Sequence, residues 1–184
     1  MPNSPFKLAH ISVLSASHNV DEFDCGDPIR NSWLKTRAFS NHTNNDSRTY
    51  VVTQNGGQVC GFYAITTGSI LRAALPGSLR RNAPDPVSCV ILVQLGVTLS
   101  HQGQGLSREL MLHAMGQAVK VAEIVGCRLF VVHPATPRLT GYYKKFGFVE
   151  GVEMAPVSLM AMSLPKVRAT LAAVEQAANT PAVS

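Results

Sequence analysis

Leu95-Gly-Val-Thr-Leu-Ser-His-Gln-Gly-Gln-Gly-Leu-Ser-Arg-Glu-Leu110 decides how this chain is read. An apolar run closes at Val97, two glycines stand at Gly103 and Gly105, and helical spacing begins at once. Upstream, Ser88 to Thr98 is almost uniformly apolar, as in a strand covered on both faces of its sheet. Downstream, Leu106, Leu110, Ala114, Ala118, Val121, Ala122 and Val125 recur at helical spacing up to the stop at Gly126. A strand therefore feeds a glycine turn that opens a long helix. The first N–H groups of such a helix lack intrahelical acceptors, and its dipole adds partial positive charge. That end of a helix holds anions, phosphate above all. Glycine at 103 and 105 lets an anion touch the main chain where a Cβ would intervene.

Two common phosphate loops do not fit. The mononucleotide loop needs a Lys-Ser/Thr pair after its last glycine, which is missing here. The dinucleotide fingerprint needs a third glycine, and Arg108 stands at that place.

Working outward, Lys7 to Ser15 alternates loosely and predicts a first strand. Asp27-Pro28 signals a helix start, with Ile29, Trp33, Leu34 and Ala38 on one face of a helix ending near Asn41. Arg48 to Gln54 and Gln58 to Ile65 flank Asn55-Gly-Gly57 and predict a hairpin, since Asn-Gly tolerates positive φ. Residues 72 to 87, with three prolines, read as a loop. Arg128 to Val132 is a second buried strand. Thr136-Pro137 opens a short helix with Leu139, Tyr142, Tyr143 and Phe146 inward. Phe148 to Glu153 and Val157 to Leu164 predict a closing strand pair. The alanine-rich 166–184 segment predicts a C-terminal helix and a frayed tail. The expected architecture is α/β, one domain over 1–165, with helices on both faces of a mixed sheet.

Bulk composition sets limits. The chain has 184 residues, 46% of them hydrophobic and 15% charged, which suits one globular domain with a substantial core. Cys25, Cys60, Cys89 and Cys127 form no C-x-x-C pair and read as reduced cysteines. The longest apolar run, Cys89 to Val93, is strand-sized, and the N-terminus lacks a secretory pattern, so a cytosolic protein without membrane segments is expected. A net charge of +5 leans toward polyanions. His113 has no second ligand at helical spacing and reads as a partly exposed helix residue, so no metal is expected. His133, at a strand end, is a candidate for orienting substrate.

Gln102-x-x-Gly105-x-Ser107 after Val93-Gln-Leu-Gly-Val97 resembles the Q/R-x-x-G-x-G/A signature of the GNAT-fold acetyltransferases, with Ser107 in place of Gly or Ala. Gly141-Tyr-Tyr-Lys-Lys-Phe-Gly-Phe148 resembles the A-x-x-F-Y-x-x-x-G-F segment of the same superfamily. Order and content together cover Lys7 to Leu164. The resemblance implies a GNAT fold: a central, mixed, largely antiparallel twisted sheet of about six to seven strands. It also implies acetyl-CoA as cosubstrate, its pyrophosphate on Gln102, Gly103, Gln104, Gly105, Leu106 and Ser107, and its carbonyl at the main chain of Leu95 and Val97. Tyr143 falls at the position of the family's general acid. As a plain reading of residues, the alternative for Tyr143 is a core tyrosine packed with Tyr142, Phe146 and Phe148.

Within this superfamily, Phe23-Asp-Cys-Gly26, Trp33-Leu34, Arg48-Thr-Tyr-Val-Val52, Gly61-Phe-Tyr-Ala64 and Gly68-Ser69 resemble the GNAT toxins of bacterial toxin–antitoxin pairs. Those toxins usually carry Arg and Ala where this chain has Gln94 and Gly96. The resemblance implies acetylation of aminoacyl-tRNA, a ribbon–helix–helix antitoxin, operator DNA bound through the toxin–antitoxin complex, and a homodimer. Arg72, Arg80, Arg81, Lys144 and Lys145 are then candidates for contacting RNA, or else ordinary solvated charges.

The acceptor can also be argued from chemistry. No carboxylate lies on Cys89 to Thr98, where a general base would sit. A lysine amine, with a pKa of about 10.4, needs such a base at neutral pH, whereas an α-amine of about 7.7–8.0 is partly free. The missing base favours an aminoacyl acceptor over protein lysines. A small-molecule amine or a protein N-terminus is the alternative acceptor, and a non-catalytic CoA-binding module is the third reading.

Overall fold

A computed structural model describes residues 10–152 and 158–179. The element order is β1 (Ile11–Val13), α1 (Pro28–Thr36), α2 (Ala38–Thr43), β2 (Arg48–Gln54), β3 (Gln58–Ile70), α3 (Gly77–Arg80), β4 (Val87–Val97) and α4 (Leu106–Val125). After these come β5 (Leu129–Val132), α5 (Pro137–Lys144), β6 (Val149–Glu150), β7 (Met160–Ser163) and α6 (Leu164–Asn179). The strands form a seven-stranded sheet in the order β1-β2-β3-β4-β5-β7-β6. The sheet is mostly antiparallel with one parallel pair. Strands β4 and β5 are neighbours joined through α4, the connection that a parallel pair requires.

The chain divides into two compact units. One holds residues up to Thr66 together with Leu92–Ala114; the other holds Thr67–Ile91 and the residues from Met115 onward. Strands β3 and β4 and helix α4 run through both.

In the first unit the core is Leu14, Phe23, Leu34, Ala38, Val51, Val59 and Phe62, with Trp33 packed against it. The Phe23 ring meets Phe62 edge-on at 5.3 Å, and Trp33 stacks on Phe62 at 6.0 Å. The α1 start follows its sequence signal. Asp27 is extended, its Oδ1 accepts from the N–H groups of Ile29 and Arg30, and Pro28 occupies the first turn. Ile29 departs from expectation. It is 81% exposed, off the inner face. The single helix expected to reach Asn41 breaks at Arg37, whose φ and ψ of −120° and −32° leave the helical region. No glycine or proline causes the break. The Thr36 hydroxyl donates to the Ser32 carbonyl at 2.8 Å, the kind of side-chain back-bond that bends helices.

The β2–β3 hairpin closes through Asn55–Gly57, with Gln54 opposite Gln58. Positive φ falls on Gly56 and Gly57, at 72° and 81°. Helix α4 buries Leu106, Leu110, Met111, Ala114, Met115 and Ala118. Covering each large apolar side chain of this set contributes about 1.5–3 kcal/mol. The inner face differs from the expected one at its far end. Val125 is 66% exposed and Ile124 82%, while Met111 and Met115 complete the buried stripe.

In the second unit the core is Leu75, Ala83, Val87, Cys89, Leu129, Val131 and Ala161. Leu75 and Ala83 belong to the segment expected to be a loop. It is instead partly helical, with a short 3₁₀ turn at Arg72–Ala74 and then α3. Strand β7 lies between β5 and β6, pairing Phe130 with Met162 and Val149 with Ala161. The expected closing pair thus forms, but β6 is only two residues long. Part of that pair, at 153–157, lies outside the described residues, as do residues 7–9 of the expected first strand and the expected tail beyond 179. All four cysteines are free thiols; Cys60 and Cys89 are buried. Among the described residues no helix is long and apolar enough to cross a membrane.

Candidate active site

The glycine turn sits where the sequence places it. Gly103 and Gly105 adopt φ of 75° and 89°. Such left-handed backbone turns successive N–H groups toward one side and forms an anion nest. A Cβ built on Gly103 meets nothing within 4 Å, so the surface above it is open, and glycine is required there by conformation. The N–H groups of Leu106 and Ser107 belong to the first turn of α4, which has no intrahelical acceptors. The Leu106 side chain is fully buried, so only its main chain can meet a ligand. These features fit the diphosphate of acetyl-CoA: consecutive donors, no acidic side chain among residues 99–107, and room at the main chain.

Gln102 has a second role. Its Nε2 donates to the carbonyls of Val97 at 3.0 Å and Cys25 at 3.1 Å. Leu99 N–H donates to the Asp24 carbonyl at 2.8 Å, and the Thr98 hydroxyl donates to the same oxygen at 3.0 Å. The loop is thereby tied to the segment that precedes α1. That segment is itself locked. Asp24 Oδ1 accepts from Gly26 N–H at 2.9 Å and from Asn31 Nδ2 at 2.7 Å, and the first of these bonds chiefly holds its carboxyl below the usual aspartate range. The Phe23-Asp-Cys-Gly26 stretch is therefore a scaffold under the nest.

The end of β4 carries the other predicted main-chain contacts. Leu95 is half-buried, while Gly96 and Val97 are buried. A Cβ on Gly96 would lie 2.9 Å from Phe62 Cε1 and 3.0 Å from Arg30 Cδ, closer than real Cβ contacts allow without movement.

In the second unit, Tyr143 lies on α5, capped by the Thr136 hydroxyl, which accepts from Leu139 N–H. The Tyr143 ring is 9% exposed and meets Tyr142 and Phe148 edge-on at 5.5 and 5.7 Å. Packing and a catalytic role are compatible here, since the ring is clamped while its hydroxyl remains the polar end. A cavity of about 470 Å³ opens beside α5, lined by Pro134, Thr136, Thr140, Lys144 and Ser158 among others. His133 Nδ1 is 3.0 Å from the Ser158 carbonyl. A carbonyl only accepts, so Nδ1 is the donor in this bond.

The five candidate RNA residues all belong to this unit, but they are not equivalent. Arg80, Arg81 and Lys145 are exposed. Arg72 braces its own loop, its N–H donating to Asp85 Oδ1 and its guanidinium to the Ala83 carbonyl at 3.3 Å. Lys144 pairs with Glu150 at 3.0 Å, both more than half exposed, an arrangement worth at most about 1 kcal/mol.

His113 is half-buried on α4, and its Nδ1 lies 2.6 Å from the hydroxyl of fully buried Tyr63. Burial pushes the Tyr63 phenol well above its ordinary value, so the phenol keeps its proton. Tyr50 stacks on Tyr63 at 4.9 Å. Among the described residues no group of three or more His, Cys, Asp or Glu gathers as a metal site would. Tyr50 and Tyr63 are register partners in the β2–β3 hairpin, but their meeting with His113, 50 residues beyond Tyr63 on α4, was not legible in sequence.

The family model for the acetyltransferase (GNAT) domain matches residues 45–150. The tRNA-acetylating toxin of Mycobacterium tuberculosis is 35% identical over 151 residues, covering 82% of this chain and 88% of that one. Among solved structures, AtaT complexed with acetyl-methionyl-tRNAfMet superposes with a TM-score of 0.81 at 28% identity, covering 88% of this chain and 98% of AtaT. AtaTR bound with acetyl-CoA gives 0.76 at 27% identity, covering 88% and 96%. The chain belongs to the GNAT acetyltransferase family. The family and its relatives make it an acetyl-CoA-dependent acetyltransferase.

Proposed function

We propose that this protein is a toxin that moves acetyl from acetyl-CoA to the α-amino group of aminoacyl-tRNA and so blocks translation. The observation that carries the reading is the long match to the tRNA-acetylating toxin, which spans both the nest and the α5 segment. Bound acetyl-CoA supplies an activated acetyl thioester. The main chain of Gly103 to Ser107 holds its diphosphate, and the N–H groups between Leu95 and Val97 hold the carbonyl oxygen as negative charge gathers on it. Tyr143, an acid with an ordinary pKa of about 10, gives its proton to the sulfur as the carbon–sulfur bond breaks. The new bond joins the amine nitrogen to the acetyl carbon, and the nitrogen sheds its proton to water. Residues 1–165 act as one catalytic domain, because β3, β4 and α4 each run through both compact units. Arg80, Arg81 and Lys145 meet the RNA backbone, with Arg72 and Lys144 beside them. A ribbon–helix–helix antitoxin silences the protein, operator DNA is bound through that complex, and the protein works as a cytosolic homodimer. Kinship with the toxins supports these partners.

The test is incubation with acetyl-CoA and a pool of charged tRNAs, beside a panel of small amines and peptides, with products read by mass. Acetyl-aminoacyl-tRNA is the expected product. Acetylation confined to amines or peptides would overturn the acceptor, and no transfer to any of them would overturn the enzyme reading.

A further inference from the structure

The main chain of Gln102 offers one hydrogen-bond donor and its carboxamide two, and each of them is engaged. The main-chain N–H donates to the Leu99 carbonyl at 3.3 Å, closing the short turn before the nest. The carboxamide nitrogen faces two oxygens, the carbonyls of Val97 at 3.0 Å and Cys25 at 3.1 Å. Carbonyls only accept, so the orientation of the amide is fixed by its partners. Only Oε1 is left over. An acceptor has nothing to give a diphosphate, whose ionised oxygens accept as well. To reach a phosphate, Gln102 would have to desert the Val97 carbonyl at the strand end.

The two carbonyls belong to separate stretches. Val97 ends β4, and Cys25 lies in the segment before α1. One carboxamide therefore ties the strand end to that segment, and Thr98 and Leu99 repeat the tie at the Asp24 carbonyl. Asn31, on α1, anchors the segment in turn. Its Oδ1 accepts from the Cys25 N–H at 2.9 Å and from the Cys25 thiol at 3.1 Å, and its Nδ2 donates to Asp24 Oδ1 at 2.7 Å. A chain of polar contacts thus runs from α1 through Cys25 and Gln102 to the end of β4, all of it within the first compact unit.

We infer that Gln102 is a positioning residue for acetyl-CoA, with Asn31 as its anchor: it gives the diphosphate no hydrogen bond and instead presets the nest whose main chain does. This rests on the proposed reading that residues 103–107 hold the diphosphate. The nest needs left-handed backbone at Gly103 and Gly105. Glycine permits that conformation but does not enforce it, because without a Cβ it populates many others. The restraint has to come from the flanks. On one side α4 supplies it, and on the other Gln102 does. Order imposed before the cofactor arrives is order that binding need not then create, so the brace contributes affinity without touching the ligand.

The experiment measures the Kd for acetyl-CoA and the melting temperature of wild type, Gln102→Met, Asn31→Ala and the double variant. Methionine keeps the length of the side chain and removes both of its donors. Each single variant should weaken acetyl-CoA binding about threefold to tenfold. The double variant should bind about as well as the weaker single one, because both substitutions cut the same chain. In turnover with charged tRNA, KM for acetyl-CoA should rise with the Kd while KM for the tRNA stays within about twofold. Losses that multiply in the double variant would make Gln102 a direct contact of the cofactor and overturn the inference. Unchanged affinity in either folded single variant, whatever its melting temperature, would overturn it as well. A wild-type protein that does not bind acetyl-CoA would instead overturn the underlying reading of the nest. Should Gln102→Met not fold, Asn31→Ala decides the matter alone, since a contact role for Gln102 predicts no change in it.

Discussion

The Gln102 carboxamide donates to carbonyls of Val97 and Cys25, so a residue expected to meet the cofactor also braces the glycine loop. Tyr143 shows the converse. Its position in Gly141–Phe148 marks it for chemistry, and the fold places its ring in an aromatic clamp. Tyr143→Phe keeps that clamp and removes only the proton. Acetyl transfer should fall about 100-fold or more, while acetyl-CoA affinity and melting temperature stay near wild type. Equal loss of affinity and stability would make the residue structural. His42 offers a test of folding. It is 8% exposed, and its Nδ1 accepts from Thr49 N–H at 3.1 Å, which only an unprotonated nitrogen can do. Burial, then the neighbouring Arg48, holds its pKa below the ordinary value. The neutral ring is thus favoured in the folded state. The stability this contributes is complete above the unfolded pKa of about 6.5 and declines as pH falls toward the folded value. Urea midpoints should drop between pH 7.5 and 5.5, and less so in His42→Asn. A parallel drop in both proteins would refute the assignment.

At the scale of elements, β4, the glycine turn and α4 were legible because three independent signals coincide there: a continuous apolar run, glycines needing positive φ, and helical periodicity. What was missed has specific physical causes. The break at Arg37 coincides with a threonine back-bond, which propensity does not register. Arg72–Ala74 and Gly77–Arg80 are short turns of helix held by the buried Leu75 and Ala83, so tertiary contact overrides a proline-rich composition. Periodicity extended the inner face of α4 to Val125, but the last turn of the helix is exposed and has nothing to cover. Within the candidate site, the nest and Tyr143 were readable as motifs, whereas the bracing under the nest emerged only from hydrogen bonds.

For the whole molecule, a charge of +5 is uninformative until it is placed. Arg80 and Arg81 are exposed, while Arg72 is partly spent inside its own loop. Replacing Arg80 and Arg81 together by alanine should weaken charged-tRNA binding and flatten its dependence on salt by up to about one power of salt concentration per lost phosphate contact. An unchanged slope would remove them from the interface. Arg72→Ala should lower stability as well, which separates its two roles. The account as a whole depends on the main-chain nest at the head of α4. Its most direct test is calorimetric titration of the folded protein and of Gly103→Ala with acetyl-CoA. One binding site with clear heat is expected, weakened in the variant because alanine resists the φ of 75° at that position. Absence of binding to the wild-type protein, or equal binding by the variant, would contradict it.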